Sequence, residues 1–233
     1  SLSYENVQVA YDGGETDIPS SLTEVVIKPL YFAYFSLKIA RDKREPLALD
    51  LPERKIEMGE DGKVTSIQFH ERLDAHRLIE EFMVLANVAS AEVLSAKKTP
   101  LLYRVHEEPS KEKLDALRET AQSAGLSLAR GQVLKTAHLN SLLKQAKQTD
   151  DSELINMSTL RSMTQAYYSP QNFGHFGLAL RSYAHFTSPI RRYSDLIVHR
   201  ALIKAHGWGE DGLSALDEER LEETAQMISI SER

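Results

Sequence analysis

Cysteine is absent from the 233-residue sequence, and neither a long apolar run nor a net positive charge is present. Without cysteine the chain can form no disulfide, thiolate nucleophile, zinc–thiolate site or iron–sulfur cluster. No apolar run approaches the roughly 18 residues that a membrane-spanning helix needs, and no signal peptide is recognisable. These absences predict a cytoplasmic protein without a membrane partner.

The common motifs of several enzyme classes are also missing. The sequence has no glycine-rich phosphate loop followed by Lys-Ser/Thr, no nucleophile elbow and no His-Glu-x-x-His. Its aspartates are scattered, so no dense cluster is predicted that could hold a pair of divalent cations. We therefore expect this chain to hold no metal ion by itself.

Charge is unevenly distributed along a chain of ordinary globular composition. The net charge is −6, which argues against a surface built wholly for nucleic acid. Residues 175–206 nevertheless carry five basic side chains against one acidic one, whereas residues 207–233 carry eight acidic against two basic ones. The pattern predicts a local basic patch that could bind a phosphate chain at a defined place.

Local patterns predict an α+β, helix-rich fold with a small, mostly antiparallel sheet packed against a long central helix. Residues 74–98 give the strongest helix signal, with a broad apolar stripe. A turn around Gly62 predicts a hairpin of strands 54–58 and 64–69. Further patterns predict a helix over 22–44 with its start at Pro29, strands over 99–105 and 174–186, and helices over 189–206 and 216–233.

The predicted strand over 174–186 has two different faces. One face carries Phe176, Leu178 and Leu180, and the other carries His175, Arg181, Tyr183 and His185. A cationic and aromatic face suits a ligand that is both anionic and flat. Periodicity alone is equally compatible with a solvated sheet face that binds nothing.

The start of the following helix favours an anionic ligand over a solvated face that binds nothing. Thr187 or Ser188 can serve as its N-cap, with Arg191 and Arg192 just inside. Because a helix N-terminus already carries partial positive charge, two arginines there favour an anion such as phosphate. In the alternative, Arg191 pairs with Asp195 at i,i+4 and Arg192 is solvated; that orientation is the less favourable one.

Two weaker signals lie elsewhere in the chain. His76, Glu80 and Asn87 share one face of the long helix and could border a cleft or form an ordinary solvated edge. Arg104 and His106 lie on one face of the strand over 99–105, where a lone histidine is more often structural than catalytic.

Three ordered blocks resemble the ribonuclease II/ribonuclease R superfamily, and most closely its ribonuclease R branch. The first is His175-Phe-Gly-Leu-Ala-Leu, followed by Tyr183-Ala-His-Phe-Thr-Ser-Pro-Ile-Arg-Arg-Tyr and then Asp195. The others are Asp74-Ala-His-Arg-Leu-Ile-Glu-Glu-Phe-Met with Asn87, and Leu102-Tyr-Arg-Val-His-Glu. Together they span roughly half of the chain, and the remainder fits as connecting sequence.

The resemblance implies that residues 1–233 are the C-terminal portion of an RNB exoribonuclease catalytic domain and a fragment of a longer chain. Such enzymes degrade single-stranded RNA processively from the 3′ end to nucleoside 5′-monophosphates with Mg²⁺. Their metal-holding aspartates lie in the N-terminal part of the domain, and cold-shock-like and S1 RNA-binding domains flank it. This chain alone is therefore expected to be inactive and to hold no Mg²⁺.

By position, the resemblance makes Arg191 the arginine that grips the phosphates near the scissile bond, and Glu232 a glutamate near the terminal nucleotide. The family's base-stacking aromatic has no clear equivalent, and Pro100 stands in its area. The predicted RNA-binding residues are Arg192, Thr187, Ser188, His185, Tyr183, Arg181, His175, Arg104 and His106.

Two other functions remain open on the sequence. One is a non-catalytic RNA-binding module of the same fold without the metal site. The other is a helical scaffold without a ligand, which would leave Arg191 and Arg192 unexplained.

Overall fold

The computed structural model describes residues 2–49, 54–58, 62–69, 72–129 and 133–232. The chain divides into two compact units, the first comprising Ser1–Arg41 with Asp50–Phe82 and the second Asp42–Leu49 with Met83–Arg233. Within the described ranges, no helix combines the length and the apolar character that crossing a membrane requires.

The first unit is mostly helical. Its elements are α1 (Tyr4–Asp12), α2 (Ser20–Leu22), a π turn (Thr23–Ile27), α3 (Lys28–Arg44), β1 (Arg54–Met58), β2 (Val64–Phe69) and the start of α4 (Asp74–Ala96). Its core is aromatic: Tyr31 and Tyr34 are buried, and Tyr11 stacks on Tyr31 with ring centroids 3.7 Å apart. The strands β1 and β2 pair antiparallel, which confirms the predicted hairpin.

The helical run through α2 and α3 begins earlier than predicted. Pro19 is the N-cap, so the assignment of Pro29 as the start is wrong. A proline inside a helix removes one hydrogen bond and clashes with the carbonyl four residues earlier, here that of Val25. Val25 lies in the π turn, whose wider backbone gives that carbonyl room and lets the helix continue through Pro29.

The second unit holds the rest of α4, whose Asp74–Ala96 span confirms the predicted long helix. The later elements are β3 (Tyr103–Val105), α5 (Lys111–Ser123), α6 (Thr136–Ala146), α7 (Ser152–Ser162), β4 (Tyr167–Ser169), α8 (Tyr193–His206), α9 (Ala215–Glu219) and α10 (Leu221–Ser231). The predicted strand over 99–105 is thus shortened to its last three residues, and the helix over 216–233 is interrupted at Arg220.

Two apolar cores stabilise the second unit. In one, α5, α6 and α7 pack together around Leu139, Leu142 and Ile155, all fully buried. In the other, the end of α4, the antiparallel pair β3–β4, α8 and α10 surround Leu102 and Val198. The helix-rich α+β prediction is confirmed, with the described strands arranged as two separate antiparallel pairs.

The prediction of a strand over 174–186 is wrong. The backbone instead folds back in a tight turn, closed by hydrogen bonds in both directions between His175 and Leu180. Gly174 and Ala179 have positive φ angles, which a strand does not allow. Beyond the turn the chain runs extended without a ladder, and the Tyr183 carbonyl accepts from the Arg104 N–H at 2.9 Å.

The helix predicted over 189–206 begins four residues later. Its N-cap is Arg192, and neither Thr187 nor Ser188 has that role. Residues 189–191 form a turn in which the Ser188 carbonyl accepts from the N–H groups of Arg191 and Arg192. The two arginines therefore precede the helix rather than standing in its first turn.

Substitution of Gly177 tests the turn. A Cβ atom at Gly177 would lie 2.9 Å from Nδ1 of His106, so Gly177→Ala must displace a packed ring. We expect a loss of about 1–3 kcal/mol in the free energy of unfolding, measured by urea titration. Gly209→Ala is the matched control, because its Cβ meets nothing within 4 Å. Equal stability of the two variants would contradict the packing of Gly177 against His106.

Candidate RNA-binding site

A cluster of tyrosine and histidine rings lies in the second unit. The Tyr183 ring meets the His175 ring with centroids 5.3 Å apart and the His185 ring at 5.7 Å, both near perpendicular. Tyr168 approaches His185 from β4 at 5.7 Å. The structure thus brings together three of the residues predicted to share a face, although the turn and the extended segment do so instead of a strand.

The two histidines of this cluster are not cationic at neutral pH. Burial is the main cause of a pKa of about 3 for His175, and the neighbouring His106 and Arg104 add to it. Burial, Arg192 and Arg104 likewise lower the pKa of His185 to about 4. The cationic face predicted from the alternation is therefore wrong for these two positions, which present neutral, flat rings.

Glu232 is held by two side chains of the β3–β4 pair. The Nη1 group of Arg104 donates to its carboxylate at 2.5 Å, and the Tyr168 hydroxyl donates to the other oxygen at 3.1 Å. The Arg104 guanidinium also lies 4.6 Å above the Tyr168 ring centroid, in a cation–π contact. Nδ1 of His185 completes the network at 2.8 Å from the Tyr168 hydroxyl.

His106 uses both ring nitrogens within the fold. Its Nδ1 accepts from the Gly177 N–H at 2.9 Å, so Nε2 carries the proton and donates to the Thr164 carbonyl at 3.0 Å. Burial lowers the pKa of His106 and favours this neutral form. The ring therefore fixes the turn that carries His175, and it has no nitrogen left to offer a phosphate.

Asp195 forms an ion pair with Arg192. It accepts two hydrogen bonds at 2.8 Å from the guanidinium of Arg192, and a third at 2.7 Å from the Ser188 N–H. Burial alone would raise the pKa of Asp195, but these hydrogen bonds outweigh it and hold the pKa below its usual value. The alternative considered from the sequence, in which Arg191 pairs with Asp195 and Arg192 is solvated, is therefore wrong: Arg192 is the paired arginine and Arg191 is the exposed one.

The basic patch is smaller than the sequence predicts. Arg200 pairs with Asp217 at 2.8 Å and Lys204 pairs with Glu218 at 2.5 Å, so α9 neutralises two cations of α8. Among the described ion pairs, Arg181 and Arg191 are the two cations of residues 175–206 that have no acidic partner. Both are exposed. Arg181 lines a cavity of about 690 Å³ together with His106, His175 and Phe173.

Asn87 is the residue whose importance the sequence did not reveal. Its side chain is only 3% exposed in α4, donates to the Tyr183 hydroxyl at 2.9 Å, and accepts from the N–H groups of Phe186 and Thr187. The available signal was a polar residue beside the apolar stripe of a long helix. The other members of that polar line lie in the first unit, where His76 stacks on Tyr4 and Glu80 pairs with Arg72.

The donor set does not fit a metal centre. Among residues 2–49, 54–58, 62–69, 72–129 and 133–232, no three His, Asp or Glu side chains come close enough to hold a metal ion. Mg²⁺, which the family resemblance implies, has no ligand cluster in this part of the chain.

Comparison with family models finds the RNB domain over residues 1–207. Ribonuclease R of Vibrio cholerae is 43% identical over 203 residues, which are 86% of this chain and 25% of that protein. Ribonuclease R of Aquifex aeolicus is 40% identical over 215 residues, 89% of this chain and 30% of that protein. The chain thus spans about a quarter of the curated relatives that it matches.

Two solved structures have the same fold. Mycoplasma genitalium RNase R in complex with ribose methylated single-stranded RNA superimposes with a TM-score of 0.85 and 30% identity, covering 99% of this chain and 37% of that one. Yeast Ssd1, described as a pseudonuclease, gives a TM-score of 0.67 at 22% identity over 97% of this chain and 27% of that one.

Acid titration tests the buried histidines. A histidine whose pKa is lower in the folded state makes the unfolded state bind more protons. The free energy of unfolding should therefore decrease as the pH falls from about 6.5 towards 4, by up to about 1.4 kcal/mol per pH unit for each such group. Urea titrations at several pH values should show a flatter dependence for His175→Gln.

His206→Gln, which removes an exposed imidazole at the end of α8, is the matched control. Equal pH dependence in the His175→Gln and His206→Gln variants would contradict the neutral, buried state assigned to His175.

Proposed function

Because the chain belongs to the RNB domain family, we propose that it is the C-terminal portion of the catalytic domain of an exoribonuclease. In this proposal the longer protein hydrolyses single-stranded RNA processively from the 3′ end in the cytoplasm and releases nucleoside 5′-monophosphates. Cold-shock-like and S1 domains in the same protein add RNA affinity. The identity to ribonuclease R and the similarity to an RNA-bound RNase R support the substrate class.

The observation that carries the proposal is the state of Arg191. Its side chain is exposed, whereas the neighbouring Arg192 is held by the buried Asp195. A guanidinium in this position can donate two parallel hydrogen bonds to a phosphate. Beside the reacting phosphate, the Arg191 side chain would stabilise negative charge that grows in the transition state.

Glu232 has a supporting role in this proposal. Its carboxylate is oriented by Arg104 and Tyr168, so it reaches the terminal nucleotide in a fixed direction. The neutral rings of Tyr183, His175 and His185 meet near perpendicular and Tyr183 is buried, so this cluster offers no charge to a phosphate and no open stacking face at Tyr183. Of the predicted contacts, Arg191 and Arg181 offer free charge, while Arg192, Thr187, Ser188 and His106 support the loop and the turn.

A second function is compatible with the same fold. The fold is shared with a structure described as a pseudonuclease. A non-catalytic RNA-binding module would retain the phosphate contacts without hydrolysis. Activity of the longer protein distinguishes the two functions.

Turnover tests the enzymatic proposal. With labelled single-stranded RNA and Mg²⁺, we expect this chain alone to release no mononucleotides and the longer protein to release them. Arg191→Lys keeps the charge but loses the bidentate fork, so in the longer protein it should lower the rate by at least about tenfold with a smaller loss of RNA affinity. Chelator-sensitive release by this chain alone would contradict its assignment as a metal-free portion, and normal turnover of Arg191→Lys would contradict the role of the arginine.

Salt dependence tests RNA binding by this chain. Each phosphate neutralised on a single strand contributes about −0.7 to the slope of log K against log salt. Two free cations, Arg181 and Arg191, predict weak binding with a slope of about −1.4, and Arg191→Ala should flatten the slope by about 0.7. Fluorescence anisotropy with a short RNA measures both slopes.

The exposed Arg220, which lies among acidic residues, is the matched control and should leave the slope unchanged when replaced by Ala. Tight binding at physiological salt, or equal slopes for the two arginine variants, would place the phosphate contacts elsewhere.

A further inference from the structure

We propose that Asn87 and Asp195 are positioning residues that hold residues 186–192 and thereby fix the place of the Arg191 guanidinium. Neither side chain needs to touch RNA for this role. The inference rests on the proposed role of Arg191, because it explains how an exposed side chain on an irregular segment keeps a defined position.

These two side chains accept hydrogen bonds from three consecutive backbone N–H groups. Oδ1 of Asn87 accepts from Phe186 at 2.9 Å and from Thr187 at 3.2 Å, and Oδ1 of Asp195 accepts from Ser188 at 2.7 Å. The segment lies outside helix and sheet, so these amides have no ladder partner. The two side chains therefore replace the secondary structure that this stretch lacks.

Burial makes both acceptors difficult to replace. Asn87 is 3% exposed and Asp195 is fully buried. The NH₂ group of Asn87 also donates to the Tyr183 hydroxyl, and this hydrogen bond leaves Oδ1 facing the loop. If either side chain were shortened, the freed N–H groups would lie in a partly buried region without an acceptor, and the loop would have to move.

Arg191 lies between two fixed points. On its N-terminal side, the Ser188 carbonyl accepts from the Arg191 N–H at 3.2 Å. On its C-terminal side, the Arg192 guanidinium is bound to Asp195 by two hydrogen bonds. The backbone on both sides is thus fixed while the Arg191 side chain extends into solvent.

A displacement of this segment should affect turnover more than affinity. A misplacement of about 1 Å at a reacting centre can cost on the order of 100-fold in rate, whereas an exposed cation attracts a phosphate chain over a longer distance. We expect Asn87→Ala to lower kcat of the longer exoribonuclease by about 10- to 100-fold, with RNA affinity changed by less than about threefold.

A double-mutant cycle with Arg191→Ala tests whether Asn87 acts through Arg191. In the Arg191→Ala background, Asn87→Ala should lower kcat by less than about twofold further. Ser90→Ala is the matched control, because Ser90 is also a buried polar residue of α4 but bonds only its own helix at the Ala86 carbonyl. Should Asn87→Ala fail to fold, Asn87→Asp takes its place in the cycle: it keeps the Oδ1 acceptor, replaces the amide donor to Tyr183 by a second oxygen, and has a smaller expected loss.

Hydrogen exchange on the present chain gives a readout independent of activity. The amides of residues 186–188 should be protected in the unmodified chain, and those of Phe186 and Thr187 should exchange at least about tenfold faster in Asn87→Ala, with α8 unchanged. Together with the cycle, faster exchange and non-additive losses support the inference.

Additive losses in the cycle, or unchanged exchange at Phe186 and Thr187, would overturn the inference and leave the role of Arg191 intact. Normal turnover of Arg191→Ala alone would instead overturn the proposed function, and the inference with it.

Discussion

The buried carboxylate of Asp195 is the constraint on which the candidate site depends. A fully buried charge is costly unless hydrogen bonds and an opposite charge compensate for it. Here the compensation comes from the Ser188 N–H, from both donors of the Arg192 fork and from the Ser194 hydroxyl at 3.2 Å. Each partner belongs to the segment that enters α8, so neutralising one charge also determines the path of the backbone.

Ion pairs also neutralise the basic side chains along α8. The cations that the sequence concentrates there are matched by acids from α9, which follow them in the chain. Part of the opposite net charge of these two neighbouring segments is thus neutralised by two ion pairs between them. An acidic protein can therefore leave isolated arginines exposed without presenting a broad basic surface, which limits binding to unintended polyanions.

The parts of the fold that depend on local signals were predictable. Ser110 caps α5, Gly125 follows it with a left-handed backbone, and the turn at Gly62 joins two strands. The segment after Gly174 was not predictable from its alternation, because a tight turn followed by an extended stretch has the same two-residue period as a strand. The left-handed backbone at Gly174 and Ala179 and the contact of Gly177 with the His106 ring distinguish them, and the alternation of side chains signals neither.

The site was predicted in part. The grouping of His175, Tyr183 and His185 was correct. Arg191 is exposed, and its contact with phosphate stays a prediction. Which arginine pairs with Asp195 depends on where α8 begins, and this start is set by tertiary contacts rather than by spacing. For the same reason Asn87 could not be separated from a solvated edge, since its three hydrogen bonds go to residues about 100 positions later.

The turn before α8 also constrains how the sequence can vary. Ser188 is bound at one end and Arg192 at the other by the same carboxylate, so the three residues between them must span a fixed gap. Ile190 within that gap is fully exposed and packs against nothing in the described part of the chain. The spacing between Ser188 and Arg192 is therefore constrained independently of the side chain at position 190, because a one-residue insertion or deletion would break one of the two anchors.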